Sequence, residues 1–387
     1  MSTEALLSGR VAARHMPQVP DLPLCALAFA LLGIGLVMVA SATLQTTTGA
    51  DGLSDFLRQL VFAFVGIGVA VLLYTLPLDY LERLRYPALA LALALLVAVF
   101  VPGLGHSING SERWLGIGAF TVQASEPARV LILVYIAGYA LAHREGLASS
   151  FWNLVKPIAV VAFAAVLLLA EPDFGGTIVL FVTVLGMLFF AGARKRDALI
   201  LLLVFGGTAL ALALSSSYRL ERLTTFLNPW AVRQGSGFQL TQALLAAGHG
   251  GVFGTGLGES VEKLLYLPEA QSDFIFSVLA EELGLFGVAT VVVLYLALTL
   301  RALAIARRAA ACGLGFAGNL AFGLGLLLGV QAFVNIGVNL GVLPTKGLTL
   351  PLMSAGGSSL IVDLAVCGLL LRVARETRIV RTRGALR

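Results

Sequence analysis

Apolar residues in this chain neither alternate nor mark one face of a helix; they come in long runs broken by polar intervals. Ten runs approach the roughly 20 residues needed to cross a hydrocarbon core of about 30 Å. They lie at 22–43, 59–78, 86–102, 126–142, 156–170, 174–193, 197–215, 273–300, 315–339 and 351–373. The pattern predicts an all-α polytopic membrane protein of about ten transmembrane helices. The organisation is an N-terminal segment (1–21), a membrane domain (22–373) and a basic tail (374–387). Two polar intervals are long, 103–125 and 216–272, and both fall on one side of the membrane. The second, a large outer loop between helices 7 and 8, carries Phe226, Trp230, Phe238, Phe253 and Tyr266 and a predicted short helix around Gln239–Ala247. That composition predicts a segment folded back onto the membrane surface rather than a disordered one.

Composition agrees: 58% of the 387 residues are apolar and 12% charged, with a mean hydropathy of +0.94, outside the range of soluble domains. Charge sets the orientation, because Lys and Arg accumulate on the cytoplasmic side. With the N-terminus inside, 18 of the 26 basic residues fall on inner segments, among them Arg194, Lys195 and Arg196, Arg301, Arg307 and Arg308, and the six arginines from Arg372 to Arg387. An even number of spans with both ends inside is therefore expected. The net charge of +5 reads as topology and attraction to anionic inner-leaflet lipid, and no nucleic-acid partner is expected. Ala40-Ser41-Ala42 resembles a signal-peptidase site, but the preceding apolar run is too long for a signal peptide, so the first span is read as uncleaved. Cys25, Cys312 and Cys367 have no paired spacing and give neither a disulfide framework nor a metal cluster. The four histidines are scattered, and no P-loop, zinc signature or Ser-His-Asp set is present.

Few polar residues interrupt the runs, and an acid at the lip of a membrane helix is costly enough to suggest function. Asp273 is such an acid, where the long outer loop enters the eighth run. Two readings of it stand: helix N-cap and chemical group. Helical geometry puts Glu281 about 80° around the helix from Asp273 and about 12 Å deeper, while Glu282 points to the opposite side. Only Glu281 is then able to share a cavity with Asp273. Glu126 and Arg129, three apart, suit an ion pair on one helix face or substrate contact. Asp173 reads as a turn or cap residue. Asn335 and Asn339 are one turn apart and suit bonds to neighbouring helices. Lys346 suits a phosphate or snorkelling to the interface, and Asp363, inside the tenth run, calls for a polar partner. Gly248–Gly258 holds six glycines in eleven residues. It permits tight turns, close backbone approach to a ligand and phosphate cradling, although no strand precedes it as a dinucleotide fingerprint requires.

Ordered motifs then carry a resemblance. Asn109-Gly-Ser-Glu-Arg-Trp114, Gln123-Ala-Ser-Glu126, Glu171-Pro-Asp-Phe-Gly175, Asn228-Pro-Trp230, Tyr266-Leu-Pro-Glu-Ala270 with Asp273-Phe-Ile-Phe276, Glu281-Glu-Leu-Gly284 and Leu343–Leu352 together resemble the SEDS family of bacterial cell-wall polymerases over about residues 25–375. Pro268-Glu-Ala270 and Pro344–Pro351 resemble its division branch more than its elongation branch. The chain departs from the family pattern at Ala355 (usually tyrosine), Gln271 (often histidine) and Arg129 (commonly lysine).

The resemblance implies a ten-span bundle and peptidoglycan glycosyltransfer, the joining of lipid II units into glycan strands at the outer membrane face. It implies Asp273 as the general base for the acceptor hydroxyl and inversion in a single displacement. The departing pyrophosphate calls for positive charge, from a divalent cation such as Mg2+ or Mn2+ or from side chains. Arg113, Arg219, Arg222, Lys263 and Lys346 are the outer-face candidates, and Glu126, Arg129, Glu281, Ser358 and Ser359 complete the expected substrate contacts. Implied partners are lipid II, membrane lipid, a cognate class B penicillin-binding protein transpeptidase (FtsI-like) and divisome proteins (FtsQ/FtsL/FtsB-like), and the implied place is the bacterial inner membrane at the division septum. A transporter that flips lipid-linked precursor and a scaffold that only recruits partners are the competing readings.

Overall fold

The computed structural model of the protein describes residues 20–44, 50–108, 111–117, 120–214, 224–235, 237–264, 267–345 and 347–385. Its helices are α1 (Leu22–Leu44), α2 (Ala50–Thr75), α3 (Leu78–Arg83), α4 (Arg85–Ala98), α5 (Ser125–Ala142), α6 (Arg144–Ser149), α7 (Phe151–Ala170), α8 (Phe174–Phe190), α9 (Lys195–Leu214), α10 (Phe238–His249), α11 (Ile275–Ala311), α12 (Gly315–Asn339) and α13 (Gly357–Ala385). Each predicted apolar run lies largely on one of them. Among the described residues α1, α2, α5, α7, α11, α12 and α13 are long and apolar enough to cross a membrane, while α4 and α8 are apolar but shorter. Phe64 and Leu72 on α2 and Leu203 on α9 point outward, 60–73% exposed. Such a surface is at home in lipid, where every backbone polar group must be satisfied inside its own helix.

The most extensive packing joins α11 to α12 and α2 to α13, with α1 laid against α11. Helix α1 also comes close to the segment after α12: a Cβ on Gly35 would sit 2.5 Å from the Met353 Cα. Only a glycine allows that approach.

The structure adds three things to the sequence reading. First, the 103–125 interval is a small antiparallel sheet, β1 (Gly105–Ile108), β2 (Ser111–Ile117) and β3 (Phe120–Gln123) in order β1-β2-β3. A bulge between His106 and Ser107 breaks the alternation that would have marked β1 in sequence. Second, the basic tail is no loose end, because α13 continues to Ala385. Arg is a good helix former, and Arg372 and Glu376, one turn apart, pair at 2.5 Å.

Third, the glycines of 248–258 approach a helix rather than a ligand. Helix α11 is broken at Gly284 (φ 62°, ψ −160°), a conformation essentially reserved for glycine. The break frees backbone groups, and the loop takes them up. Thr255 N–H donates to Glu281 O at 2.9 Å and Gly256 N–H to Glu282 O at 3.1 Å, while Leu285 N–H donates to Gly251 O at 3.0 Å and Phe286 N–H to Val252 O at 3.3 Å. A Cβ on Gly254 would come within 2.1 Å of Glu282 O. Burial of these groups without partners would be costly, so the glycines serve an interlock between loop and helix. The expected short helix is present as α10, packed against α11 and α12.

Candidate active site

Asp273 sits in the turn that precedes α11, and its backbone is held from a distant helix. Asn335 and Asn339 on α12 each donate an amide N–H to Asp273 O at 3.0 Å. Asn339 Oδ1 then accepts from Ser277 N–H at 3.1 Å and from its hydroxyl at 2.8 Å. It thereby does for α11 what an N-cap residue does. The asparagines bond between helices as expected, and their work has a consequence for Asp273. Its carboxylate caps nothing and, among the described residues, takes no hydrogen bond or ion pair. Of the two readings of Asp273, the cap is excluded.

The turn itself is over-determined. Glu269, at φ 57°, accepts at its carbonyl from Ser272 N–H and Phe274 N–H at 3.1 and 3.3 Å. Ser354 donates its hydroxyl to Ser272 O at 2.5 Å, and Ala355 N–H donates to Gln271 O at 2.8 Å. Gln271 and Ala355, two positions where the chain departs from the family pattern, are thus in direct contact. Beneath the acid lies Gly347, where a Cβ would be only 2.9 Å from Asp273 Oδ2. Gly347→Ala is expected to displace the carboxylate, the movable partner in that contact, and to lower activity at least about tenfold, since roughly 1 Å of misplacement suffices for such losses. Turnover measured beside the thermal unfolding midpoint checks this; full activity would show that the acid tolerates the shift.

Arg113 lies near enough to the same acid to act on its charge. It is carried on β2 and donates from Nε to Glu171 O at 2.7 Å and from a terminal nitrogen to Pro172 O at 2.6 Å, at the C-terminal end of α7 where a cation is favoured. Burial above all, with nearby Glu269 and then Asp173 adding to it and Arg113 opposing, raises the Asp273 carboxyl from its usual 3.8 to about 7. Glu171, fully buried, has both carboxylate oxygens without a hydrogen-bond partner among the described residues. Burial, with Asp173 adding to it and Arg113 opposing, raises its pKa to about 8, which favours its protonated form at neutral pH. Asp173 is a cap as expected, accepting from Gly176 N–H at 2.8 Å.

The other predicted contacts among the described residues are engaged elsewhere. Glu126 and Arg129 form a buried ion pair of 2.5 Å. Arg129 also reaches Gln331 Oε1 at 3.3 Å, whose amide donates to Thr349 O at 3.1 Å. The pair therefore supports the 347–350 segment of the site from behind. Ser358 accepts from Gln123 N–H at 3.1 Å and ties β3 to α13, and Ser359 bonds locally to Gly356 O at 3.3 Å. Glu281 does not share a cavity with Asp273; it accepts from Ser260 Oγ at 2.5 Å and Val261 N–H at 3.1 Å. Glu281 thus holds the loop.

Lys263 is the clearest correction. Its side chain is fully buried, and Nζ donates to Glu282 Oε1 at 2.7 Å, Ser41 Oγ at 2.8 Å and Gly258 O at 2.7 Å. All three protons are used, which leaves nothing for a pyrophosphate. Asp363 finds its polar partner in Leu352 N–H at 3.0 Å. Lys346, Arg219, Arg222, Asn109, Tyr266 and residues 1–19 lie outside the described residues. Among the described residues no three His, Cys, Asp or Glu side chains converge as a metal cage. Gln331, Asn335 and Asn339 are the positioning residues that make the site. Of these the sequence flagged only the asparagines.

The chain matches the family described as Cell cycle protein, which groups FtsW, RodA and SpoVE, over residues 22–379. It is 48% identical over 361 residues to the probable peptidoglycan glycosyltransferase FtsW of Nitrosococcus halophilus, with 93% of each chain covered. To the probable peptidoglycan glycosyltransferase FtsW of Legionella pneumophila subsp. pneumophila it is 46% identical over 352 residues, covering 90% of this chain and 89% of the relative. The fold matches a chain of a peptidoglycan synthase complex, solved for its coordination of polymerization and crosslinking, with a TM-score of 0.75 at 30% identity, covering 93% of this chain and 98% of that one. It matches the rod shape determining protein RodA of Thermus thermophilus with a TM-score of 0.67 at 31% identity, over 92% and 97% of the two chains.

Proposed function

This chain belongs to the cell cycle protein family of FtsW, RodA and SpoVE, the SEDS family that its motifs resemble, and on that premise we propose that it polymerises lipid II during cell division. It is a multi-pass membrane protein and a peptidoglycan glycosyltransferase. The observation that carries the mechanism is the Asp273 carboxylate, held through its backbone, without a hydrogen-bond or ion-pair partner among the described residues and with its pKa raised by burial to about 7. A general base works best with a pKa near the operating pH.

In the proposed reaction the acceptor's C4 hydroxyl oxygen attacks the anomeric carbon of the donor. Its proton passes to Asp273, the new C–O bond forms, and the bond to undecaprenyl pyrophosphate breaks with inversion. Arg113, fixed by two carbonyls, offers charge to the departing diphosphate. The raised pKa of Glu171, behind Arg113, limits the negative charge there.

We also place ten crossings in the inner membrane with both ends inside, so that Asp273 opens to the outer face and the enzyme acts at the division septum. The related synthase complex, described as coordinating polymerization and crosslinking, supports a crosslinking partner here, a class B penicillin-binding protein transpeptidase working with divisome proteins. Purified protein reconstituted with that partner and given lipid II should yield glycan chains resolvable by size. Movement of fluorescent lipid II across the vesicle with no polymer formed would overturn the reading in favour of transport.

A further inference from the structure

Helix α11 begins at Asp273's turn and ends at the opposite face of the bundle, where the start of α1 and the end of α13 meet it. There Asp21 accepts from Arg301 at 2.9 and 2.6 Å and caps α1 by accepting from Leu24 N–H at 3.2 Å. Around this pair lies a pocket of about 230 Å³ whose lining includes Arg301, Arg308, Arg378 and Arg381, with Asp21 as its only acid among the described residues. Asp21 is spent on Arg301. Glu376, another carboxylate on α13, is spent on Arg372 and on Leu78 N–H. The Arg308 and Arg381 side chains make no hydrogen bond or ion pair among the described residues. Among the described residues the pocket therefore holds uncompensated positive charge at Arg308 and Arg381.

The same stripe of α13 runs on from this pocket into a second cavity. Thr377 and Ala374 line the first, and one turn earlier Leu371 and Gly368 line the second. This second cavity, about 350 Å³ between α1, α2 and α13, is almost wholly apolar. Pro20 belongs to one and Asp21 to the other, so the end of α1 is the rim between them. Arg375 lies 5.1 Å from the ring of Tyr74, which lines the apolar cavity at that rim. A volume of about 350 Å³ is too small for a helix about 10–12 Å across, whereas an extended hydrocarbon chain suits it. An apolar cavity of this kind does not recruit water.

We propose that this end of the bundle binds one anionic phospholipid, its phosphate among Arg308, Arg378 and Arg381 and one acyl chain in the cavity between α1, α2 and α13. Guanidinium groups pair with phosphate in fork geometry, and the basic end of the bundle faces the anionic leaflet. The site is at the face opposite Asp273 and does not depend on the polymerase reading.

The test is native mass spectrometry of the full chain in detergent, titrated with phosphatidylglycerol, with phosphatidylcholine of the same chains and with inorganic phosphate. One phosphatidylglycerol per chain is expected, retained about tenfold more tightly than phosphatidylcholine. The Arg308→Gln/Arg381→Gln variant should lose that preference, since each arginine near a headgroup is worth roughly a few-fold in affinity. Val71→Trp, placed on the half of the cavity that faces outward, should weaken retention of both lipids while leaving the unfolding midpoint unchanged. Equal retention of the two lipids would overturn the proposal. So would phosphate displacing phosphatidylglycerol fully while Val71→Trp has no effect, which would mean a pocket for free anions.

Discussion

Asp273→Asn is expected to lower lipid II polymerisation by about 10² to 10⁴-fold, the range a positioned general base contributes, with little change in KM. The substitution keeps the backbone carbonyl that Asn335 and Asn339 hold and removes no cap, because the carboxylate serves none. Stability should therefore not fall. The folded-state pKa of about 7 lies above the ordinary 3.8, so ionising this group works against folding. That cost is absent well below pH 4, grows as pH rises towards 7 and is fully present above it. A neutral asparagine escapes the cost, and the unfolding midpoint of the variant at pH 8 should equal or exceed that of the wild type. The wild-type rate should climb about tenfold per pH unit below 7 and level off above, as a base active only when deprotonated requires. A variant that is inactive and also unfolded would speak for a structural role. A variant that keeps full polymerisation would remove Asp273 from the chemistry.

The helices were legible because a run of apolar residues near 20 long has few alternatives in a membrane protein. The small sheet was not, because strands of four to seven residues with a bulge leave too short a period to detect. Asp273 shows a deeper limit. Spacing alone leaves cap and base open, since Asp at the start of an apolar helix suits either. What decides between them is Asn339, 66 residues away, which takes the capping work through a contact no local pattern encodes.

The glycines of 248–258 show the converse. Their freedom was readable and what they approach was not. The groups they bond lie around a break in α11 that only Gly284, some thirty residues on, makes possible. Arg113 was readable as a cation on the outer face, but its place beside the acid depends on β2 and on the carbonyls of the Glu171 turn.

Lys263→Met is expected to destabilise the protein by about 3–5 kcal/mol, the usual result of removing one partner of a buried ion pair. By type and loop position Lys263 resembled a cation for substrate; Glu282, 19 residues later on α11, and Ser41 on α1 draw it inside instead. Without the ammonium, Glu282 keeps, among the described residues, only the Ser41 hydroxyl at 2.6 Å, and its second oxygen already has no partner among them. The carboxylate must then stay charged in an apolar surrounding or take up a proton, and either is costly. Replacing both, Lys263→Met with Glu282→Met, removes the orphan along with its partner and should recover most of the loss, because a well-packed apolar pair commonly matches a buried ionic one. Unfolding midpoints of the two single variants and the double variant form a cycle whose coupling energy measures the pair. The same substitution releases the loop from α1 while leaving the backbone interlock at Gly284 in place, so limited proteolysis within 257–264 should accelerate in the single variant before global unfolding. Losses that simply add in the double variant, with unchanged proteolysis, would mean that the ion pair does not couple loop and helices and that the interlock alone holds the loop.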